Sequence, residues 1–293
     1  MSSANDLAVA VGDALSGDVM SVVETGGGGI SATYRVTIDG GRAVFVKTIS
    51  DASPGMYTAE AEGLRWLAET RAVRVPEVLA IKDEDSGLER RFLVLTWIDQ
   101  HLPAPDHDEQ LGRDLARLHR TGAPVFGLDR DNFIADIRQS NTPHDTWAEF
   151  YASERLAPLA RRAVDAALLP PTAASLFERL MSKLPELVGP PESPARLHGD
   201  LWRGNVLAGL RGEPWLVDPA AYGGHREMDL AMMKLFGGFG DTCFAAYDEA
   251  FPLADGHADR VALYQLYPLL VHVVLFGGGY ASSVIQAARR YAG

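Results

Sequence analysis

Apolar positions fall into two regimes along the chain. Up to residue 98 they mostly alternate with polar ones, the period-two signature of half-buried strands. Residues 18–24, 33–38 and 42–49 predict an antiparallel meander of three strands. A glycine run at 26–29 joins the first pair and an Asp39-Gly40-Gly41 turn joins the second. Residues 78–81 and 92–98 add two strands, separated by a charged turn at 83–90. A short helix is predicted at 7–17 and a longer one at 56–70, where Met56, Ala59, Gly63, Leu64 and Leu67 can share a face. Past a proline-rich, acidic connector at 102–109 the spacing turns helical, at 109–120, 144–167, 173–187, 227–236, 242–251 and 258–276. A strand-like interruption sits at 196–218, and no internal repeat is present. The pattern gives an α+β chain in two parts. Residues 1–98 form a small antiparallel lobe and residues 99–293 a larger, mostly helical one, with the cleft between them a natural ligand site.

Composition narrows the function classes. With 47% hydrophobic and 23% charged positions, the 293 residues are those of a globular protein rather than a disordered one. A formal charge of −12 argues against nucleic-acid or anionic-membrane partners, which need a basic footprint. One cysteine, Cys243, excludes an internal disulfide and a thiolate zinc site. Residues 1–17 lack the basic start and apolar run of a signal peptide. The apolar stretch 266–276 carries Pro268 and His272 and falls short of the ~20 residues of a membrane span. The expectation is a soluble cytoplasmic protein, a monomer or weak dimer. Lysine is scarce: Lys47, Lys82, Lys183 and Lys234 stand against 23 arginines, so a lysine inside a strand pattern is informative.

The most informative string is His198-Gly199-Asp200-Leu201-Trp202-Arg203-Gly204-Asn205, followed by Trp215-Leu216-Val217-Asp218-Pro219. An Asp, a following Asn and an Asp closing an apolar strand suit phosphoryl transfer. Asp200 would accept the proton of an attacking hydroxyl. Asn205 and Asp218 would offer oxygen ligands to the Mg²⁺ that bridges nucleotide phosphates. In the front part, Ala43-Val44-Phe45-Val46-Lys47 puts a lysine in an apolar strand, where it is costly unless paired. Glu60 and Glu62 on the next helix compete to pair it, since one helix cannot aim both inward. Gly27, Gly28 and Gly29 could cover phosphates with backbone N–H groups or form a plain flexible hairpin. The carbonyl of Thr96 and the N–H of Ile98, at the exit from the sheet, are the expected adenine contacts.

Together these residues resemble the fructosamine kinase (ketosamine-3-kinase) family, in the aminoglycoside-phosphotransferase-like branch of the protein-kinase-like fold. The resemblance runs from about Asp18 to Ala292 and includes "VFVKT", "LARLHR", "FGLDRDNFIADIRQSN", "VDPAAYGGHREMDLAMMKLFGGF" and "LYQLYPLLVHVVLFGGGY". It implies a sheet lobe with one helix and ATP-dependent, Mg²⁺-assisted phosphorylation of the 3-hydroxyl of an amine-linked sugar. The phosphorylated ketosamine then releases its amine, which amounts to deglycation. The amine carrier is a small molecule or a glycated protein. By the same resemblance Asp200 is the base, Asn205 and Asp218 are metal ligands, Lys47 with Glu60 holds phosphate, and Trp202 walls the sugar. Asp229 braces the loop, while His225 and Asn132 either face the substrate or pack within loops. The chain departs from the family at Gly29, where many members have cysteine, at Thr96, where the hinge often has Glu, and at Ala135, where glycine is common. Gly199 replaces the arginine that reads an activation-loop phosphate in protein kinases, and the next helix begins near Glu227, leaving no room for such a loop. Two other readings stand beside this one: a kinase of the same fold acting on an aminoglycoside or other metabolite alcohol, and a nucleotide-binding pseudokinase. The second would be expected to have lost Lys47, Asp200 or Asp218.

Overall fold

The computed structural model describes residues 2–26, 31–49, 53–83 and 91–293. Helix α1 (Ser2–Leu15) leads into strands β1 (Val19–Glu24), β2 (Ala32–Ile38) and β3 (Ala43–Thr48), which form the expected antiparallel meander. After helix α2 (Met56–Glu69), strands β4 (Val78–Lys82) and β5 (Phe92–Thr96) complete a sheet of order β1-β2-β3-β5-β4. Gly27, Gly28 and Gly29, and residues 84–90 of the charged turn, lie outside the described residues.

Strand alternation decides what each face of the sheet meets. Val44 and Val46 of β3, with Phe92 and Val94 of β5, turn toward Leu7 and Val11 of α1. Helix α1, expected as a short helix at 7–17, thus packs on the sheet in addition to the one helix that the resemblance implied. Phe45 of β3, with Leu93 and Leu95 of β5, turns the opposite way, onto Tyr57, Ala61 and Leu64 of α2. Position 47 shares the parity of position 45, so the sheet delivers the Lys47 side chain beneath α2.

The remainder is mostly helical. It runs through α3 (His107–Thr121), the hairpin β6 (Asn132–Ile134) and β7 (Ile137–Gln139), α4 (Trp147–Phe150), a π-helical turn at Tyr151–Leu156, α5 (Ala157–Asp165) and α6 (Thr172–Leu187). Four short strands follow: β8 (Ala195–Leu197), β9 (Val206–Ala208), β10 (Pro214–Leu216) and β11 (Tyr222–Gly224). Helices α7 (Glu227–Phe236), α8 (Asp241–Ala250), α9 (His257–Tyr264), α10 (Leu266–Phe276) and α11 (Ala281–Ala292) close the chain. The helix expected at 258–276 is therefore two. Pro268 has no N–H to give the Tyr264 carbonyl, and the ladder breaks there. The helix expected at 144–167 is interrupted by the π turn.

Phe150, Tyr151, Phe177, Tyr264 and Leu270 anchor the core of this helical part. A separate cluster joins Leu67 at the end of α2 to Leu111 and Leu115 of α3, to Leu201 after β8, and to Tyr247 of α8. That cluster fixes the sheet-side helix against the loop that follows β8. Among the described residues, no helix is long and apolar enough to cross a membrane.

Candidate active site

The loop after β8 is held from both ends. Strand β8 pairs antiparallel with β11, and β9 pairs with β10, so residues 198–205 span two small ribbons. Asp229 of α7 accepts the backbone N–H groups of His198 at 2.8 Å and Gly199 at 2.9 Å. His119 Nε2 lies 3.2 Å from the same carboxylate. Burial opposes the Asp229 charge, but the His119 contact and the neighbouring groups hold the carboxyl below its ordinary range. At Gly199 φ is +84° and a Cβ would lie 2.1 Å from the Ala220 carbonyl oxygen, so no other residue fits that approach.

Asp200 follows directly. Asn205 Nδ2 donates to the Asp200 carbonyl at 2.9 Å and to its Oδ2 at 3.1 Å. These bonds orient the carboxylate and leave the Asn205 amide oxygen as an acceptor. Burial, and then the charge of Asp218, push the Asp200 carboxyl up to about 7. Asp218 sits just past β10 with φ of 54°, a left-handed conformation that strained functional sites often hold.

Lys47 reaches this cluster from the sheet. Its ammonium lies 2.9 Å from Glu60 Oε2 and 3.1 Å from Asp218 Oδ1. Burial works against the charge, but the Asp218 and Glu60 carboxylates outweigh it and hold the ammonium well above its ordinary range. Burial pushes Glu60 up to about 7 despite the lysine. The rivalry between the two glutamates of α2 is resolved by helix geometry, which separates positions 60 and 62 by about 200°. Glu60 points in; Glu62 turns out and pairs with Arg130 at 2.6 Å.

Lys47, Glu60, Asp200, Asn205 and Asp218 line one cavity of about 550 Å³ between the sheet and the helical part. Trp202 stands in its wall, 42% exposed. The indole lies over Gly204, where a Cβ would come within 2.2 Å of the ring. Asn132 also lines the cavity, but its amide is engaged internally: Nδ2 donates to the Ala221 carbonyl at 2.8 Å and Oδ1 accepts from Gln139 Nε2 at 2.7 Å.

Of the two alternatives for His225, facing the substrate or packing, the structure shows packing: it does not line the 550 Å³ cavity, which corrects its assignment to the substrate site. It is 4% exposed, and its ring stacks on Tyr264 at 5.3 Å and leans on Trp147 at 6.1 Å. Burial, opposed in part by Glu192, drives the imidazole down to about 4, so it sits neutral in the core. Thr96 ends β5 with its N–H donated to the Glu77 carbonyl at 2.9 Å, and Ile98 follows, half-buried. Neither is among the residues lining the 550 Å³ cavity. Residues that the sequence pattern had not assigned to the site complete the far wall: Phe236 at the end of α7, with His272 and Phe276 on α10. The available signal was an apolar run ending on a phenylalanine directly before Gly277-Gly278-Gly279.

A strand lysine paired with a helix glutamate, facing an Asp–Asn–Asp cluster across one cavity, defines a two-lobed kinase-type phosphotransferase. The sequence matches the fructosamine kinase family model over residues 5–292. It is 35% identical to a probable ketoamine kinase of Enterococcus faecium, over 94% of this chain and 96% of that protein. It is 34% identical to the chloroplastic protein-ribulosamine 3-kinase of Arabidopsis thaliana, over 93% of this chain and 83% of that one. A solved structure of a proposed fructosamine-3-kinase from Thermobifida fusca superposes with a TM-score of 0.89 at 42% identity, covering 97% of this chain and 98% of that one. The chain belongs to the fructosamine kinase family.

Proposed function

We propose that this protein transfers the terminal phosphate of ATP to the 3-hydroxyl of a ketosamine, a fructosamine or ribulosamine, as the names of its relatives suggest. The observation that carries the reading is the convergence of Lys47, Glu60, Asp200, Asn205 and Asp218 on one cavity. In this reading residues 1–98 hold the nucleotide and residues 99–293 hold the acceptor. Thr96 and Ile98 contact adenine through their backbones, and Gly27, Gly28 and Gly29 cover the phosphates.

Asp200 takes the proton of the attacking 3-hydroxyl; a carboxyl poised near neutral pH suits that task. Lys47, with one N–H free of its two carboxylate partners, binds phosphate oxygen and steadies the charge that gathers there. Asn205 and Asp218 would hold Mg²⁺. They offer an amide and a carboxylate oxygen, the donors a hard cation takes when phosphates complete its shell. Among the described residues no cluster of three His, Cys, Asp or Glu side chains could hold a metal unaided, which fits an ion shared with the nucleotide. When bound, that ion neutralises phosphate charge. Trp202 offers a flat face to the sugar. The 3-phosphorylated product is unstable and releases its amine.

The test is a phosphorylation assay on a fructosamine, a ribulosamine and an aminoglycoside under one set of conditions. Transfer to either ketosamine supports the reading. Transfer to the aminoglycoside alone overturns it.

A further inference from the structure

The cavity has two chemically distinct ends. One carries the phosphoryl-transfer groups. The other is a shelf built by two helices, and nothing in the proposed transfer uses it. Pro268, Val271, His272, Leu275 and Phe276 all line the cavity from α10. Their spacing is that of one helical face. Phe236 joins them from the last position of α7, the helix whose first turn carries the bracing Asp229. The shelf and the loop bearing Asp200 are thus fixed to the same element.

The rings on the shelf touch one another. Phe236 lies 4.8 Å from the His272 ring, and Phe276 lies 5.4 Å from it. His272 Nδ1 donates to the Pro268 carbonyl at 2.8 Å, which fixes the ring's orientation. Yet the outer surfaces are open: Phe276 is 67% exposed and Phe236 39% exposed. Two phenylalanines left bare inside a cavity shared with a polar reaction centre point to an apolar portion of the same ligand.

Charge narrows that portion further. Lys47 is the one lysine or arginine among the described lining residues, and Glu60 and Asp218 already hold it. Asp200, Asp218 and Glu60 leave the cavity acidic. A carboxylate near the amine would face Asp200 with no lysine or arginine free to pair it, whereas the amine's own positive charge is compatible with carboxylates and ring faces.

We propose that the Phe236–His272–Phe276 shelf receives the group borne on the substrate's amine and selects an apolar, carboxylate-free substituent over one with a carboxylate beside the nitrogen. The assignment rests on the ketosamine reading of the site. It makes these three residues determinants of specificity rather than of chemistry.

The experiment uses the full chain with ATP and two acceptors that share one fructosyl group, carried on benzylamine or on glycine. The expected kcat/KM is about tenfold or more higher for the benzylamine conjugate. In Phe276→Ala the ratio between the two acceptors falls about tenfold, mainly through KM for the benzylamine conjugate, and Phe276→Leu restores part of it. Phe276 is exposed, so truncation there leaves folding intact; Phe236→Ala provides a second, independent reading of the ratio. Equal kcat/KM for both acceptors, a preference for the glycine conjugate, or a ratio unchanged in both alanine variants overturns the shelf assignment while leaving ketosamine phosphorylation standing. If neither conjugate is phosphorylated but an aminoglycoside is, the ketosamine reading fails and the shelf assignment falls with it.

Discussion

Asp200 lies where backbone, hydrogen bonding and burial act together. Gly199 lets the chain turn beneath the Ala220 carbonyl, Asn205 orients the carboxylate, and burial lifts it toward neutrality. Asp200→Asn keeps the shape and the Asn205 contact but removes the proton acceptor. In that variant kcat should fall about a thousandfold while nucleotide affinity, measured by calorimetry, stays within about threefold. Undiminished turnover would take Asp200 out of the base role. His225 has a different job. Folded, it titrates near 4; its ordinary value is 6.5. Between these values the unfolded chain binds more protons, so stability rises with pH through the window and is lost as pH falls from 6.5 toward 4. The loss at the acid end is up to about 3 kcal/mol. His225→Phe keeps a ring against Tyr264, so its melting temperature should depend less on pH between 6.5 and 4 than that of the parent. Parallel pH profiles would contradict this account of His225.

At the scale of elements, helix α2 does the sorting. Two glutamates sit close together in sequence, and the turn of the helix sends one to Lys47 and the other to Arg130. Glu60→Gln should lower kcat/KM by at least about tenfold, the worth of one buried charge-assisted hydrogen bond. Glu62→Gln should change it by less than about twofold, since an exposed pair contributes little. Equal losses in steady-state assays would refute the division. The pairing was legible in outline because a lysine in an apolar strand needs a partner; the residues alone left two glutamates open, the family resemblance chose Glu60, and the helix's rotation about its axis gives the physical reason. The loop at 198–205 was legible as chemistry because Asp, Asn and a later Asp have few other reasons to recur in that order. Other features left weaker traces. Strands β6, β7 and β11 are three residues each, too short for alternation to register. Helix α11, which buries Val284, Ala288 and Ala292, follows a glycine run that drew attention to the break rather than to the element after it. His225 offers the same letter whether it binds a ligand or fills a core, and only the rings packed around it decide. Ala135 has φ of 53° in the tight turn between β6 and β7, a left-handed conformation that glycine adopts more readily than alanine.

For the molecule as a whole, the sheet with its two helices and the helical part meet around a site whose pieces come from both. No long segment intervenes between Asp218 and α7, since β11 occupies Tyr222–Gly224 and α7 begins at Glu227. Nothing in that stretch awaits ordering by a phosphate, so turnover should be unchanged, within about twofold, after treatment with a phosphatase or a protein kinase. A large change in either direction would mean that control reaches the site by another route. The whole account depends on where the phosphate goes. The most direct measurement is the nuclear magnetic resonance assignment of the phosphorylated carbon in the product formed from a fructosamine and ATP. The account predicts phosphate on the 3-hydroxyl, followed by release of the amine. Phosphate on any other hydroxyl, or a ketosamine recovered unchanged, would contradict it.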